Sequence, residues 1–315
     1  MRTIGESRPA LSMPLDVRTA LKEAMTRLRA AHVPSHTLAA ELLLMHTLGR
    51  DRTWLYTNPE SQLDPSAVET YFALIARRAA GEPTQYLTGK QEFWGLEFEV
   101  TPEVLIPRPE TEHVVEVALE VLGVRGVEID RITGAPSPPL RVVDVGTGSG
   151  CLAVALAHEL PHAEIIATDI SAVALVVARR NAARHSVADR IQFLETDLLE
   201  ALLVSGLGPH PSPFDIVVSN PPYVGRHEAE ALAREVRDHE PHAALFGGPT
   251  GVEIYSRLIK QAGGLLRTGG ILVLELGYHS ADEVRKMFHV QRHWANLSIT
   301  HDLAGIPRVL SAIRI

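Results

Sequence analysis

Between Arg141 and Leu156 the chain passes from a β-branched apolar run, through five residues that alternate with glycine, into a helical pattern. The run is Arg141-Val142-Val143-Asp144-Val145, the loop is Gly146-Thr147-Gly148-Ser149-Gly150, and the helix opens at Cys151-Leu152-Ala153-Val154-Ala155-Leu156. Few folds accommodate a buried strand that turns directly into a buried helix through such a loop. Glycines let the backbone take conformations closed to other residues and let a ligand approach the helix N-terminus closely. The segment therefore reads as the first βα turn of a nucleotide-binding α/β sheet.

Strand and helix patterns then alternate to near the end of the chain, as a doubly wound, mostly parallel sheet requires. Strands are expected at 141–146, 164–169, 191–197, 214–220 and 270–277, and Ser171 is placed to cap a helix running to about Arg184. Two last strands, near 296–302 and 307–315, are joined by Ala304-Gly305-Ile306-Pro307, which is too short for a parallel crossover. They are expected to form a C-terminal antiparallel hairpin. The strand at Glu164-Ile165-Ile166-Ala167-Thr168 ends in Asp169, an acidic residue suited to accept from both hydroxyls of a ribose. The loop spacing is G-x-G-x-G, not the G-x-G-x-x-G of dinucleotide enzymes. Taken alone, loop and aspartate still leave a nicotinamide enzyme open.

A second motif narrows the chemistry. The run Phe214-Asp215-Ile216-Val217-Val218 leads into Ser219-Asn220-Pro221-Pro222-Tyr223. Each proline fixes its own φ, lacks an N–H, and pushes the preceding residue into extended backbone, so the turn is stiff and rich in free carbonyls. The Asn220 side-chain oxygen and the Pro221 carbonyl are two acceptors for a planar NH2 group, with Pro222 and Tyr223 forming the wall beside it. With this turn closing a later strand, S-adenosylmethionine becomes the expected cofactor. An amide nitrogen is a poor nucleophile that becomes more positive as it takes a methyl group, so acceptors aimed at its hydrogens favour the transition state. The methylsulfonium is already activated and the product proton is acidic, so no catalytic histidine is required. The catalytic candidates are Asn220, Pro221 and Tyr223.

At these residues the chain resembles the release-factor glutamine methyltransferases (HemK/PrmC family). The likeness extends to Ala40-Glu41-Leu42-Leu43-Leu44, Arg77-Arg78-Ala79-Ala80-Gly81-Glu82-Pro83, Tyr86-Leu87-Thr88-Gly89 and Glu92-Phe93-Trp94-Gly95-Leu96. It includes Leu105-Ile106-Pro107-Arg108-Pro109-Glu110-Thr111-Glu112 and, at the end, Asp302-Leu303-Ala304-Gly305-Ile306-Pro307-Arg308-Val309, so it spans about Leu15 to the C-terminus. The resemblance implies a methyltransferase of the S-adenosylmethionine-dependent type, acting on the glutamine of the Gly-Gly-Gln loop in peptide chain release factors. It implies that Gly146, Thr147, Gly148, Ser149 and Gly150 pass around the cofactor's amino-acid part and that Asp169 takes the ribose. Asp197 and Leu198 would lie by the adenine, and Asn220 would border both cofactor and substrate. Some relatives carry an aromatic residue where Leu198 stands, so leucine can pack on the base but not stack. Arg108 is a candidate for the cofactor carboxylate, for the docked loop, or for a domain-interface ion pair.

Four regions are expected along the chain: a disordered leader over 1–13, a small helical substrate-recognition domain over 14–83, a β-hairpin linker over 84–110, and the methyltransferase domain over 111–315. In the helical domain Val17, Leu21, Met25 and Leu28 recur at helical spacing. Ser35 is read as the cap of a second helix that stops at Gly49, and Asp64-Pro65 as the start of a third. Thr111 is read as the cap of a helix to Leu122, and 123–140, with Gly134, Pro136, Pro138 and Pro139, as a surface insertion.

Three false leads are set aside. His158-Glu159-Leu160-Pro161-His162 matches H-E-x-x-H, but Pro161 would break the helix that a zinc pair needs, so no metal is expected. Gly247-Gly248-Pro249-Thr250-Gly251 lacks the Lys-Ser/Thr of a phosphate loop and reads as a helix entry. Cys151 reads as a small core residue. As the only cysteine it forms no internal disulfide, which together with the lack of a long apolar run suits a cytoplasmic protein. The competing activity is methylation of an exocyclic amine, adenine N6 or guanine N2, in a nucleic acid. A net charge of −8 disfavours direct nucleic-acid binding and favours a protein partner. A binding protein without turnover would be expected to lose Asn220 or the glycine loop, and both are intact.

Overall fold

The computed structural model describes residues 15–123, 139–204 and 213–315. The leader expected over 1–13 and most of the 123–140 insertion lie outside them. The chain divides into two compact units between Thr88 and Gly89.

The first unit is helical: α1 Val17–Ala30, α2 His36–Leu48, α3 Arg52–Thr57, α4 Pro65–Ala79 and α5 Thr84–Thr88. On α1, Val17, Ala20, Leu21, Ala24 and Leu28 are buried, a stripe at the helical repeat that packs with Leu43, Leu44, Leu55, Tyr71 and Ile75. Asp64 caps α4 from extended backbone by accepting from Ser66 N–H at 3.0 Å. Ser35 does not cap α2. It sits in left-handed backbone (φ 49°) and makes no such bond, whereas capping side chains reach the helix from extended backbone. α3 and α5 add to the expected three helices. The hairpin expected to begin at residue 84 therefore starts only after α5, as β1 Lys90–Phe93 and β2 Leu96–Glu99. Its two-residue loop is Trp94-Gly95, both at positive φ (56° and 68°), the turn whose twist matches that of paired strands.

The second unit continues through a 3-10 turn at Pro109–Thr111, then α6 Glu112–Leu122, β3 Arg141–Val145, α7 Cys151–Glu159, β4 Glu164–Asp169, α8 Ala172–Arg184 and β5 Ile191–Glu195. α9 Glu200–Val204, β6 Phe214–Ser219, β7 Val224–Gly225, α10 Arg234–His239, α11 His242–Leu245 and β8 Phe246–Gly248 follow. The chain ends with α12 Glu253–Leu265, β9 Leu266–Glu275, α13 Ala281–Val290, β10 Trp294–His301 and β11 Pro307–Arg314. Seven strands form one sheet in the order β10-β11-β9-β6-β3-β4-β5. β9, β6, β3, β4 and β5 run parallel, and β10 and β11 pair antiparallel at one side. The sheet is thus the doubly wound, mostly parallel one expected, with its C-terminal hairpin.

Alternate side chains of each central strand enter opposite cores. Val142, Ile216, Val218, Ile271 and Val273 pack under α6, α7 and α8, while Val143, Val217, Leu272 and Leu274 pack under α12 and α13. Both faces are covered, which is why these strands read as continuous apolar runs. Among the described residues, no helix is long and apolar enough to cross a membrane.

Candidate active site

The chain enters the sheet at its centre. From β3 it winds to β4 and β5 on one side, then crosses back to β6 and β9 on the other. Such a reversal opens a crevice at the carboxyl ends of the two strands where it happens, here β3 and β6. Val145 pairs with Ser219 on β6 and with Thr168 on β4. Gly146, Asp169 and Asn220 therefore leave three adjacent strands at the same level. The buried Ser219 hydroxyl donates to the Val145 carbonyl at 2.7 Å and ties the two strand ends together.

The glycine loop is held from below. Gly146 and Thr147 both donate their N–H to the Thr168 carbonyl, at 2.8 and 2.9 Å. The Thr147 hydroxyl (2.6 Å) and the Ala153 N–H (3.1 Å) donate to Asp144, whose carboxyl is fully buried. Burial raises Asp144 to about 7, against the lowering pull of those two bonds. Gly146 and Gly148 lie at φ 72° and 55°, and a Cβ on Gly146 would meet nothing within 4 Å, so open space lies along the loop. Gly150 is different: its Cβ would stand 3.1 Å from Ala178, so glycine is needed there for helix packing.

Asp169 accepts from Gly148 N–H and Ser171 N–H, both at 2.9 Å, one on each carboxylate oxygen. Burial raises its pKa while these bonds lower it. Each oxygen keeps a lone pair, so the carboxylate can still take two hydroxyl donors. A loop with open space beside it, a helix N-terminus and a fixed carboxylate together fit the amino-acid and ribose parts of S-adenosylmethionine. Asp197 and Leu198 follow β5, next along the same edge. Asp197 pairs with Arg257 at 2.7 Å, and Leu198 is held at φ 52°, uncommon outside glycine, where it packs against the second core.

Asn220 is half-buried, and its NH2 donates to the Thr111 hydroxyl at 3.1 Å. Thr111 was expected to cap α6. It lies in helical backbone without a cap bond, because its hydroxyl is turned to Asn220 instead. Among the described residues the Asn220 carbonyl oxygen takes no hydrogen bond and remains an acceptor. Pro221 is buried, and Pro222 and Tyr223 are half-buried. The Tyr223 ring packs on Gly277, where a Cβ would stand 2.9 Å from the ring, and its hydroxyl donates to Glu275 at 3.4 Å. Burial and the Glu275 carboxylate hold the phenol well above its ordinary pKa, so it stays a donor.

The turn also has a backing that its sequence does not announce. β7, just past Tyr223, pairs with β8, and the 247–251 loop runs against the turn's backbone. A Cβ on Gly247 would stand 2.3 Å from the Pro222 carbonyl oxygen, and one on Gly251 would stand 2.4 Å from that of Tyr223. The loop is a helix entry, as expected, since Glu253 accepts from Thr250 N–H and Gly251 N–H at its start. Its glycines serve close approach to the Asn-Pro-Pro-Tyr turn, a role the phosphate-loop comparison leaves invisible.

Arg108 pairs with Glu240, which is buried and needs a counter-charge. Both belong to the second unit, so the pair is not one between domains. α7 ends at Glu159, so His158 and His162 share no helical face. Cys151 is half-buried at the start of α7, and desolvation of its thiol pushes it up to about 12.

Sequence reading also passed over Asn181. Its buried amide accepts from Glu99 N–H (2.7 Å) and donates to the carbonyls of Glu99 (3.0 Å) and Ser149 (2.8 Å), tying the hairpin to the glycine loop. An asparagine among Ala174, Leu175, Val177, Ala178 and Ala182 on the buried face of α8 was the available signal. Asn181→Ala is expected to leave these backbone groups unpaired and to destabilise the unit by about 2–3 kcal/mol. Urea denaturation would check this, and an unchanged midpoint would contradict it.

Comparison with known proteins agrees with this geometry. A family described as PrmC N-terminal domain matches residues 19–89, and one described as methyltransferase small domain matches residues 135–240. The release factor glutamine methyltransferase of Koribacter versatilis is 45% identical over 296 residues, covering 94% of this chain and 98% of that protein. The one from Nitratidesulfovibrio vulgaris is 39% identical, covering 97% and 98%. Among solved structures, a METTL16 methyltransferase domain superposes with a TM-score of 0.52 at 18% identity, over 85% of this chain and 91% of that one, a likeness of fold. With identity of this order sustained along nearly the whole chain, and the glycine loop and Asn-Pro-Pro-Tyr turn meeting at one crevice, this protein belongs to the release factor glutamine methyltransferase family.

Proposed function

We propose that this protein transfers a methyl group from S-adenosylmethionine to the side-chain amide nitrogen (N5) of the glutamine in the Gly-Gly-Gln motif of peptide chain release factors. The observation that carries the reading is the tether between Asn220 and Thr111. With its NH2 engaged by Thr111, Asn220 keeps its carbonyl oxygen as an acceptor, and the Pro221 carbonyl follows it in the chain. A primary amide offers two N–H groups to such a pair, and the fixed acceptors need no reorganisation as charge develops on nitrogen.

S-adenosylmethionine, when bound, supplies a methyl group on a positively charged sulfur. The remaining work falls to this chain. Gly146 to Gly150 and Asp169 bind and orient the cofactor, with Asp197 and Leu198 toward its base. Asn220 and Pro221 hold the amide hydrogens, and Tyr223 and Pro222 cover the side chain and exclude water. Orientation of two bound partners accounts for much of the rate enhancement. The helical unit, which carries no evident chemistry, serves to recognise the release factor, and the names of the relatives support that partner.

The same two acceptors would suit an exocyclic base amine, so the test includes nucleic acid. Labelled methyl from S-adenosylmethionine is offered to a purified bacterial release factor, to its glutamine-substituted variant, and to DNA and RNA. Label on the intact factor alone is expected. Label on nucleic acid with none on the factor would overturn the substrate.

A further inference from the structure

The crevice has two sides, and the cofactor takes one of them. Its glycine loop, Asp169 and Asp197 follow β3, β4 and β5, whereas Asn220 follows β6. A glutamine whose amide nitrogen reaches Asn220 keeps its backbone within about 5 Å, the length of its side chain. With β3, β4 and β5 given to the cofactor, the segment around that glutamine has the other side of β6 open to it, where β9 and then β11 lie. Neighbouring strands stand about 5 Å apart and extended chain advances about 3.3 Å per residue, so loops at these two strand ends lie under residues about one to three positions from the glutamine.

Both loops are rigid, and each carries an exposed apolar side chain. Ser219 on β6 pairs with Leu274 on β9, so Asn220 stands level with Glu275 and Tyr278 lies just beyond. Tyr278 is 61% exposed, with its ring edge-on to His279 at 4.4 Å between centroids. Gly277 before it donates its N–H to the Tyr255 hydroxyl at 3.2 Å, and its carbonyl accepts from the Ser280 N–H at 3.1 Å and hydroxyl at 3.0 Å. The β10–β11 turn reaches the same edge, since Leu276 N–H donates to the Arg308 carbonyl at 2.7 Å. In that turn one Asp302 carboxylate oxygen accepts from Ala304 N–H and Ile306 N–H, both at 2.9 Å, and the other accepts from Arg308 Nε at 2.8 Å. Leu303 stands fully exposed on it.

Single exposed apolar side chains are ordinary. Here two stand on braced loops beside one crevice, where contact with a partner demands little further ordering. Arg308, a cation on this edge, is already taken by Asp302, so the edge suits a peptide segment better than a phosphate backbone. Glycines beside a glutamine carry no Cβ, and their backbone can lie directly against a ring such as that of Tyr278. Resting on the proposed function, we infer that Tyr278 and Leu303 form a docking rim for the release-factor segment that flanks the glutamine, and so help to select the substrate.

The test uses the full chain, S-adenosylmethionine and a bacterial release factor. Tyr278→Ala and Leu303→Ala are each expected to raise KM for the release factor about tenfold, the loss typical of an interface anchor, with kcat and KM for S-adenosylmethionine within about twofold. Tyr278→Phe keeps the ring and should restore KM. Val290→Ala is the control. Val290 is 83% exposed at the end of α13, which leads from the end of β9 to the start of β10 and so to the opposite edge of the sheet. A benzophenone side chain in place of Tyr278 or Leu303 should cross-link to the factor beside its glutamine, and one in place of Val290 should not. Unchanged KM in both Tyr278→Ala and Leu303→Ala, or cross-links there no more frequent than from the Val290 position, would overturn the rim. No transfer to the factor by the wild-type protein would instead defeat the functional reading, so the two failures are distinguishable.

Discussion

Replacing Asn220 with alanine is expected to lower methyl transfer by about 10²–10³-fold, the usual consequence of removing one fixed group that stabilises developing charge. Cofactor affinity should stay within a few-fold, because the loop at Gly146–Gly150 and the Asp169 carboxylate are held by Thr168, Asp144 and Ser171, none of which Asn220 touches. The variant should also fold. Asn220 lies half-buried just past the carboxyl end of β6, and its loss leaves one hydroxyl, that of Thr111, without its present partner. The measurement is single-turnover transfer to a release factor at saturating cofactor, alongside calorimetric binding of S-adenosylmethionine. Near-normal turnover would remove Asn220 from the reaction. Lost turnover with equally lost binding would make it a cofactor residue.

Gly247→Ala is the second change with a large expected effect, although the residue carries no functional group. A Cβ there would overlap the Pro222 carbonyl oxygen at 2.3 Å and the Gly251 carbonyl oxygen at 2.6 Å, both backbone atoms with no rotamer to escape into. One of the two strands of backbone must move, and the turn carrying Asn220 and Tyr223 is one of them. Displacement of about 1 Å at a reacting centre costs on the order of 10²-fold. The expected result is a transfer rate down about 100-fold with S-adenosylmethionine binding largely kept. Gly49→Ala supplies the contrast, since a Cβ there meets nothing within 4 Å and the only cost is its left-handed backbone (φ 61°). Equal activity of the Gly247 variant and the wild type would show that the 247–251 loop does not hold the turn.

Some parts of this protein were legible because they are local. Strands and helices follow from the spacing of apolar residues and from the glycines, prolines and caps between them, and each of these acts within a few positions of the chain. The glycine loop, Asp169 and Asn220 each stand at the end of a recognisable strand. Even the errors were local ones. Ser35 and Thr111 are of the right residue type for caps, but backbone at Ser35 and a distant partner at Thr111 claim them for something else. The helix at 84–88 was absorbed into the hairpin because its five residues, Thr-Gln-Tyr-Leu-Thr, are too few to show a helical period.

Spacing along the chain thus settled that a doubly wound sheet would form, that its strands would be buried on both faces, and that a rigid acceptor turn and a glycine loop would each end one of them. What it left open was who meets whom. Thr111 and Asn220 are 109 residues apart, Tyr223 and Glu275 are 52 apart, and Asn181 and Glu99 are 82 apart. The first two pairs exist because β6 lies between β3 and β9, which brings the ends of strands from different parts of the chain together, and the third because α8 packs against the end of β2. Strand order reflects the packing of both cores at once, and no single window of residues contains it. The groups that aim the acceptor, and the glycines that let its backing approach, therefore became visible only when the sheet was assembled.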